Sequence, residues 1–167
     1  GWREKLNIAT GIADGLNFLH GHTPPILHRD IKPDNILLDI NMNPKIGDLG
    51  LSREQAIDHT MSYTVGTPLF AAPEMLGQGQ GKYDAAVDMW SLGCLLACLH
   101  YDSPSPYQQQ VDILQLAAGQ LRPEVPIGSA LHSLVHDCCE FSASMRPNAA
   151  ETGIRLKQLS SYAHIYD

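Results

Sequence analysis

The chain contains no run of about 18 uninterrupted apolar residues, so hydropathy gives it no membrane-crossing segment. Nor does its opening, Gly1-Trp2-Arg3-Glu4-Lys5, lead into the apolar core of a signal peptide. Positive charge is scarce: 11 lysines and arginines face 18 aspartates and glutamates, for a formal net charge of −7. That balance argues against a nucleic-acid partner, because phosphate-tracking surfaces are usually basic. Cysteine is limited to Cys94, Cys98, Cys138 and Cys139, with no CxxC pair and no metal-ligand spacing to nearby histidines. These read as reduced, mostly buried thiols of an intracellular, cytoplasmic protein, with Cys138-Cys139 carried structurally on a helix. Internal repeats and low-complexity tracts are absent.

What is present is ordinary globular composition, 44% hydrophobic and 17% charged over 167 residues, enough for one domain with a sizeable core. Trp2, Leu6, Ala9, Ile12, Ala13, Leu16 and Leu19 recur at steps of three and four, predicting an amphipathic helix over the first twenty residues. Gly21 and Pro24-Pro25 stop it. Short apolar runs at Ile36-Leu37-Leu38 and Lys45-Ile46, split by Asp39-Ile40-Asn41-Met42-Asn43-Pro44, predict two strands around a turn. Residues 51–70 are polar and hydroxyl-rich without a period and read as a long loop. From about Ala85 to His100 the chain is apolar on nearly every face, as in a helix buried in a core. Further helical patterns cover roughly Gln108 to Ala118, Ala130 to Glu140 and Asn148 to Tyr162, the last with Pro147 just before its start. The expected fold class is mainly α with a small β element.

Chemistry concentrates in His28-Arg29-Asp30-Ile31-Lys32-Pro33-Asp34-Asn35, which puts an acid, a cation and an amide on one short loop. Asp48-Leu49-Gly50 follows thirteen residues after Asn35, and Ala72-Pro73-Glu74 comes later. Three ordered motifs are far more specific than one. Together they resemble the catalytic half of a eukaryotic protein kinase.

The resemblance implies the C-terminal lobe of the protein-kinase-like α+β fold, with a catalytic loop at 28–35 and an activation segment at 48–74. It implies ATP and Mg²⁺ as cofactors, with Mn²⁺ possible, and protein substrates bearing Ser or Thr acceptors. Phosphoryl transfer needs a carboxylate to orient the acceptor hydroxyl and cations to offset phosphate charge. On this pattern Asp30 is the catalytic carboxylate and Lys32 reaches the γ-phosphate as a point charge. Asn35 and Asp48 are the Mg²⁺ ligands, a carboxylate and an amide oxygen of the hard type that ion prefers. Asp34 belongs to the same nucleotide-binding stretch, and Leu37 is the candidate adenine floor, with a plain core leucine as the alternative. Asp-Leu-Gly departs from the usual Asp-Phe-Gly, but Leu49 is still apolar and could pack against His28, while Gly50 leaves the backbone free to turn.

The same resemblance assigns regulation and scaffolding. Arg29 would pair with a phosphate in the activation segment, where Thr60, Ser62, Tyr63 and Thr64 are the candidate acceptors. Gly66-Thr67-Pro68 would dock the substrate residue after the phosphoacceptor, with Thr67 bonded to Asp30 and Lys32. Lys32 and Thr67 both resemble serine/threonine rather than tyrosine kinases. Glu74 should pair with Arg146, and Asp88, in Asp88-Met89-Trp90-Ser91-Leu92-Gly93, should accept backbone N–H groups of the catalytic loop.

Trp2-Arg3-Glu4-Lys5-Leu6, Gly15-Leu16-Asn17-Phe18-Leu19-His20 and Leu121-Arg122-Pro123-Glu124-Val125-Pro126 are similar to the tyrosine-kinase-like branch, which includes interleukin-receptor-associated and plant receptor-like kinases. If the parent is receptor-like, the location becomes the cytoplasmic side of a membrane. Cys139 stands where that branch commonly has tryptophan, and Ser142-Ala143 where it has Asp-Pro. Gly77-Gln78-Gly79-Gln80-Gly81 follows the catalytic motifs and reads as a surface connection, not a phosphate loop. His132 and His136 share a helix face, but with no third ligand they read as satisfied histidines. The family's N-terminal lobe supplies a Gly-rich loop, a strand lysine and a helix glutamate. None of them lies within these residues, so the expectation is a fragment of a longer serine/threonine kinase, inactive alone, with a pseudokinase or noncatalytic scaffold as the alternative.

Overall fold

The computed structural model describes residues 1–49, 68–76 and 84–162. Helix α1 spans Trp2–His20 and buries Leu6, Ala9, Ile12, Ala13, Leu16 and Leu19 along one stripe. Its last turn closes where the Gly21 N–H donates to the Asn17 carbonyl at 3.0 Å. Strands β1 (Ile36–Leu38) and β2 (Pro44–Ile46) pair antiparallel, with Ile36 opposite Ile46 and Leu38 opposite Pro44. Asp39 holds the turn between them: its Oδ1 accepts the Asn41 and Asn43 backbone N–H groups, each at 2.9 Å. Those bonds keep the exposed Asp39 carboxyl below its ordinary range.

The hairpin seats on α1 through two glycines one turn apart. A Cβ on Gly15 would come within 2.8 Å of Ile46 Cδ1, and one on Gly11 would run into the Pro44 ring. Any side chain there would lift the strands off the helix. Strand β1 follows directly on residues 28–35 and β2 leads to Gly47 and Asp48, so this seam sets where those residues lie.

After α2 (Pro73–Leu76) comes α3 (Ala86–Tyr101), in which every residue from Val87 to Cys98 is buried. The all-round apolar pattern of this segment is thereby explained: it is the central rod of the lobe. At its C-terminal end Asp102 takes a left-handed conformation, φ 49°, and pairs with Lys5 at 2.8 Å, tying the rod to the start of α1. The Lys5 ammonium lowers the Asp102 pKa.

Helix α4 (Ile113–Ala117) is shorter than the 108–118 pattern predicts. Asp112 takes an extended conformation and its side chain accepts the Leu114 N–H, so the helix begins there and Gln108 to Val111 stay outside it. The next helix, α5 (His132–Cys138), also starts late, because Ser129 Oγ accepts the Leu131 N–H in a turn ahead of it. Helix α6 (Ala149–Ser161) begins as its sequence dictates, with Asn148 and Glu151 forming a reciprocal capping box after Pro147. The main core joins α1, α3, α5 and α6 around Leu6, Ile12, Leu16, Leu92, Leu96, Leu134 and Leu156. A second cluster, Ala72, Val87, Trp90, Cys94 and Cys139, anchors the segment before α2. Among the described residues no helix is long and apolar enough to cross a membrane.

Close approach also governs the seat of α5 on α3. A Cβ on Gly93 would lie 2.5 Å from Cys139 Sγ and 2.9 Å from Cys138 Cβ. Gly93→Ala should therefore destabilise the lobe by about 1–3 kcal/mol in equilibrium urea unfolding. Gly128→Ala, where a Cβ meets nothing within 4 Å, should leave the midpoint in place. Burial pushes the Cys98 and Cys138 thiols up to about 12 and Cys139 well above its ordinary value. Thiolate is consequently scarce at neutral pH. A chromogenic disulfide reagent at pH 8 should titrate none of these three promptly in the native protein and all of them in denaturant; prompt native reaction would contradict the burial.

Candidate active site

The site is organised by one carboxylate. Asp88 lies in the first turn of α3 and is fully buried. Its Oδ2 accepts the His28 N–H at 2.9 Å, and its Oδ1 accepts the Arg29 N–H at 2.7 Å. His20 Nε2, from the last turn of α1, is 2.8 Å from Oδ2. Three partners from two segments thus satisfy a charge that would be costly to bury alone. They also hold Arg29 at φ 68°, a left-handed conformation that a long side chain rarely adopts.

His28 carries the constraint onward. Its Nδ1 accepts the Asp30 N–H at 3.2 Å, which leaves Nε2 to donate to the Gly47 carbonyl at 2.8 Å. One imidazole thereby joins the loop at Asp30 to the end of β2. The Gly47 N–H donates to the Asn35 carbonyl at 2.8 Å, so Asp48 follows directly on a residue bonded to both His28 and Asn35. Asp48 is itself left-handed, φ 55°, and exposed.

Asp30 stands with its side chain 29% exposed. Asn35 Nδ2 donates to its Oδ2 at 2.9 Å and to its backbone carbonyl at 2.6 Å, and Lys32 Nζ lies 3.3 Å from the same Oδ2. The Asn35 amide nitrogen is spent on Asp30, while its oxygen has no hydrogen-bond partner among the described residues. This donor set fits Mg²⁺: a free amide oxygen and an exposed carboxylate at Asp48 are two hard ligands, and the ion keeps waters and phosphate oxygens for the rest. Among the described residues no three His, Cys, Asp or Glu side chains gather into a metal cage.

Leu37 is 60% exposed. Asp34 sits in the Pro33–Asn35 turn, exposed to solvent. Leu49 is 45% exposed. Pro68 is half-buried and accepts the Ala71 N–H at 3.2 Å. Gly50, Thr60, Ser62, Tyr63, Thr64, Gly66, Thr67 and the Gly77–Gly81 stretch lie outside the described residues.

A second anchor holds the segment beyond them. Arg146 meets Glu74 through both guanidinium nitrogens, with Nη2 donating to Oε2 at 2.9 Å, and its Nε and Nη1 donate to the Glu140 and Ala86 carbonyls at 2.8 and 2.9 Å. The guanidinium also lies 5.1 Å from the Trp90 ring centroid. Ser91 Oγ donates to the Phe70 carbonyl at 2.7 Å, fixing residues 68–72 to α3. His132 and His136 are engaged elsewhere, with the Val125 carbonyl and with Asp137.

Two residues of this arrangement escape a reading of the sequence by type: His20 and Ser91. A histidine in the last helical turn and a serine in a wholly apolar helix are the available signals, and neither says what the partner is.

The sequence model for the protein kinase domain matches residues 3–154. A protein of Acanthamoeba polyphaga mimivirus, named as a serine/threonine-protein kinase/receptor, is 35% identical over 153 residues, 87% of this chain and 9% of its own length. A dual specificity protein kinase of Dictyostelium discoideum is 34% identical across 96% of this chain and 8% of its own length. A calcium/calmodulin-regulated receptor-like kinase of Arabidopsis thaliana is 36% identical across 96% of this chain and 40% of its own length. In each case this chain spans well under half of the relative. With its helical core, its two-stranded sheet and this match over nearly all of its length, the chain belongs to the eukaryotic protein kinase domain family.

Proposed function

We propose that this chain is the catalytic-loop and substrate-binding lobe of a serine/threonine protein kinase, transferring the γ-phosphate of ATP to protein hydroxyls. One observation carries the reading: the Asp30 carboxylate is gripped through a single oxygen by Lys32 and Asn35, which leaves the other oxygen for an acceptor hydroxyl. Asp30 would orient that hydroxyl and take its proton, and Lys32 would offset charge on the γ-phosphate. Asn35 and Asp48 would hold Mg²⁺, or Mn²⁺ in its place, which neutralises phosphate charge when bound. Leu37 offers an exposed apolar face for the adenine, and Asp34 belongs to the same nucleotide-binding stretch. The segment Gly66-Thr67-Pro68 would receive the substrate, and Arg29 would pair with a phosphate on Thr60, Ser62, Tyr63 or Thr64.

Serine/threonine preference rests on Lys32 and Thr67. The Dictyostelium relative is named as dual specific, so tyrosine acceptors belong in the same assay. In the family a Gly-rich strand pair and a phosphate-pairing strand lysine come from an N-terminal lobe ahead of the catalytic loop, and residues 1–27 hold neither. The second reading, a noncatalytic signalling scaffold, draws on Asp48-Leu49-Gly50, which departs from the family's usual Asp-Phe-Gly. The deciding experiment is phosphate transfer from Mg-ATP to serine/threonine and tyrosine substrates by the full-length parent and its Asp30→Asn variant. Loss in the variant supports the kinase; inactivity of both under activating conditions supports the scaffold.

Three further outcomes are expected. The 167-residue chain alone should show negligible ATP turnover, and a normal kcat would overturn the two-lobe reading. In the parent, Asp88→Ala should cut kcat by at least about 100-fold, since misplacing a reacting group by about 1 Å costs that much. Glu74→Ala should destabilise the lobe by about 3–5 kcal/mol by stranding the buried Arg146 guanidinium, read as a shift of the urea midpoint. A simultaneous Glu74→Ala, Arg146→Met replacement should recover part of that loss.

A further inference from the structure

The second hydrophobic cluster holds two thiols that the phosphoryl-transfer chemistry does not use. Cys94, from the middle of α3, and Cys139, just past α5, are both 0% exposed. Gly93, the residue before Cys94, lets Cys139 come close to α3: a Cβ there would lie 2.5 Å from Cys139 Sγ. Both thiols pack in the same buried cluster, with Ala72, Val87 and Trp90. Each sulfur also donates to a carbonyl, Cys94 to Leu69 at 3.7 Å and Cys139 to Trp90 at 3.7 Å. The other two thiols stand apart: Cys138 faces Thr152 Oγ1 at 3.9 Å, and Cys98 belongs to the far end of α3.

We propose that Cys94 and Cys139 are an oxidation site, a dithiol that closes to an α3–α5 disulfide in the presence of a hydroperoxide and thereby loosens the segment at residues 68–72. One thiolate sulfur attacks a peroxide oxygen; the O–O bond breaks, the sulfur becomes a sulfenic acid, and the departing oxygen leaves as water with the thiol's proton. The second thiol's sulfur then attacks the sulfenic sulfur, forming the S–S bond and releasing a second water. Two electrons pass from the protein to one peroxide, and two S–H hydrogens are consumed. One of those hydrogens is the donor to Leu69. Its loss leaves the Leu69 carbonyl without that partner, while the Ser91 bond to Phe70 and the Glu74–Arg146 pair still hold the chain after it. Both sulfurs are buried, and burial pushes the Cys139 thiol well above its ordinary pKa, so the reaction waits on local opening of the α3–α5 contact.

The test treats the protein with hydrogen peroxide in urea well below its unfolding midpoint, blocks remaining thiols by alkylation and maps the peptides by mass spectrometry. The expected product has lost two hydrogens, joins the Cys94 peptide to the Cys139 peptide, and reverts with a dithiol reductant. Cys94→Ser should abolish the link while Cys98 and Cys138 are recovered alkylated. A link between Cys138 and Cys139, a link involving Cys98, or full recovery of Cys94 and Cys139 as alkylated thiols would each overturn the site. Hydrogen exchange then tests the consequence. Amides of residues 68–72 should exchange faster in the oxidised protein than in the reduced one, and the Cys94→Ser protein should show no peroxide dependence. Equal exchange in the two redox states would overturn the coupling to that segment.

Discussion

The buried carboxylate of Asp88 is the constraint on which the rest depends. It receives the two backbone N–H groups ahead of Asp30, so the loop's left-handed kink at Arg29 is held by hydrogen bonds to a charge rather than by packing. Hydrogen bonds to an ionised acceptor are stronger and shorter than neutral ones, and 2.7 Å and 2.9 Å fall in that range. The kink aims Asp30 outward, while His28 turns inward to meet Gly47. From there the chain of contacts runs through Asn35 back to Asp30, which closes a ring of backbone and side-chain bonds around the Asp30 carboxylate.

The apolar frame gives this polar ring a fixed platform. Asp88 can be buried only because α3 is surrounded on every side, and α3 can be surrounded only because its neighbours approach closely at Gly93. The glycine pair on α1 does the same for the hairpin that carries Asn35 at one end and Gly47 at the other. Steric fit and electrostatics thus act in series: the glycines set the distances, and the carboxylate sets the orientations. The Glu74–Arg146 pair repeats the design at lower depth, with the guanidinium fully buried and the carboxylate side chain 25% exposed.

Much of this is visible in the residues themselves. The periodicity of α1, the unbroken apolarity of α3 and the capping box of α6 are local signals, and the elements follow them to within a residue or so. Local signals fail where two of them compete. Asp112 caps a helix inside a stretch whose apolar spacing would begin it earlier, and Ser129 holds a turn ahead of the next helix by accepting the Leu131 N–H. The catalytic-loop residues are legible because acid, amide and cation sit within six positions of each other. His20 is not, because its meaning comes from a partner 68 residues away. The glycines of α1 are likewise silent: in sequence they look like weak points in a helix, and only the strands across from them supply the reason.

The long reach of the Asp88 contacts has a consequence for how the site comes into being during synthesis. His28 and Asp88 are 60 residues apart along the chain, and Glu74 and Arg146 are 72 apart. At about 5–20 residues per second, a ribosome completes the His28–Asn35 loop roughly 3 to 11 seconds before it adds the aspartate that will hold that loop. During that interval the hairpin and α1 can form from neighbouring residues, but Arg29 has nothing to keep it left-handed. Catalytic geometry in this lobe is therefore acquired late in biogenesis, when α3 docks, and a nascent chain stalled before that point carries the full His28–Asn35 sequence without its shape.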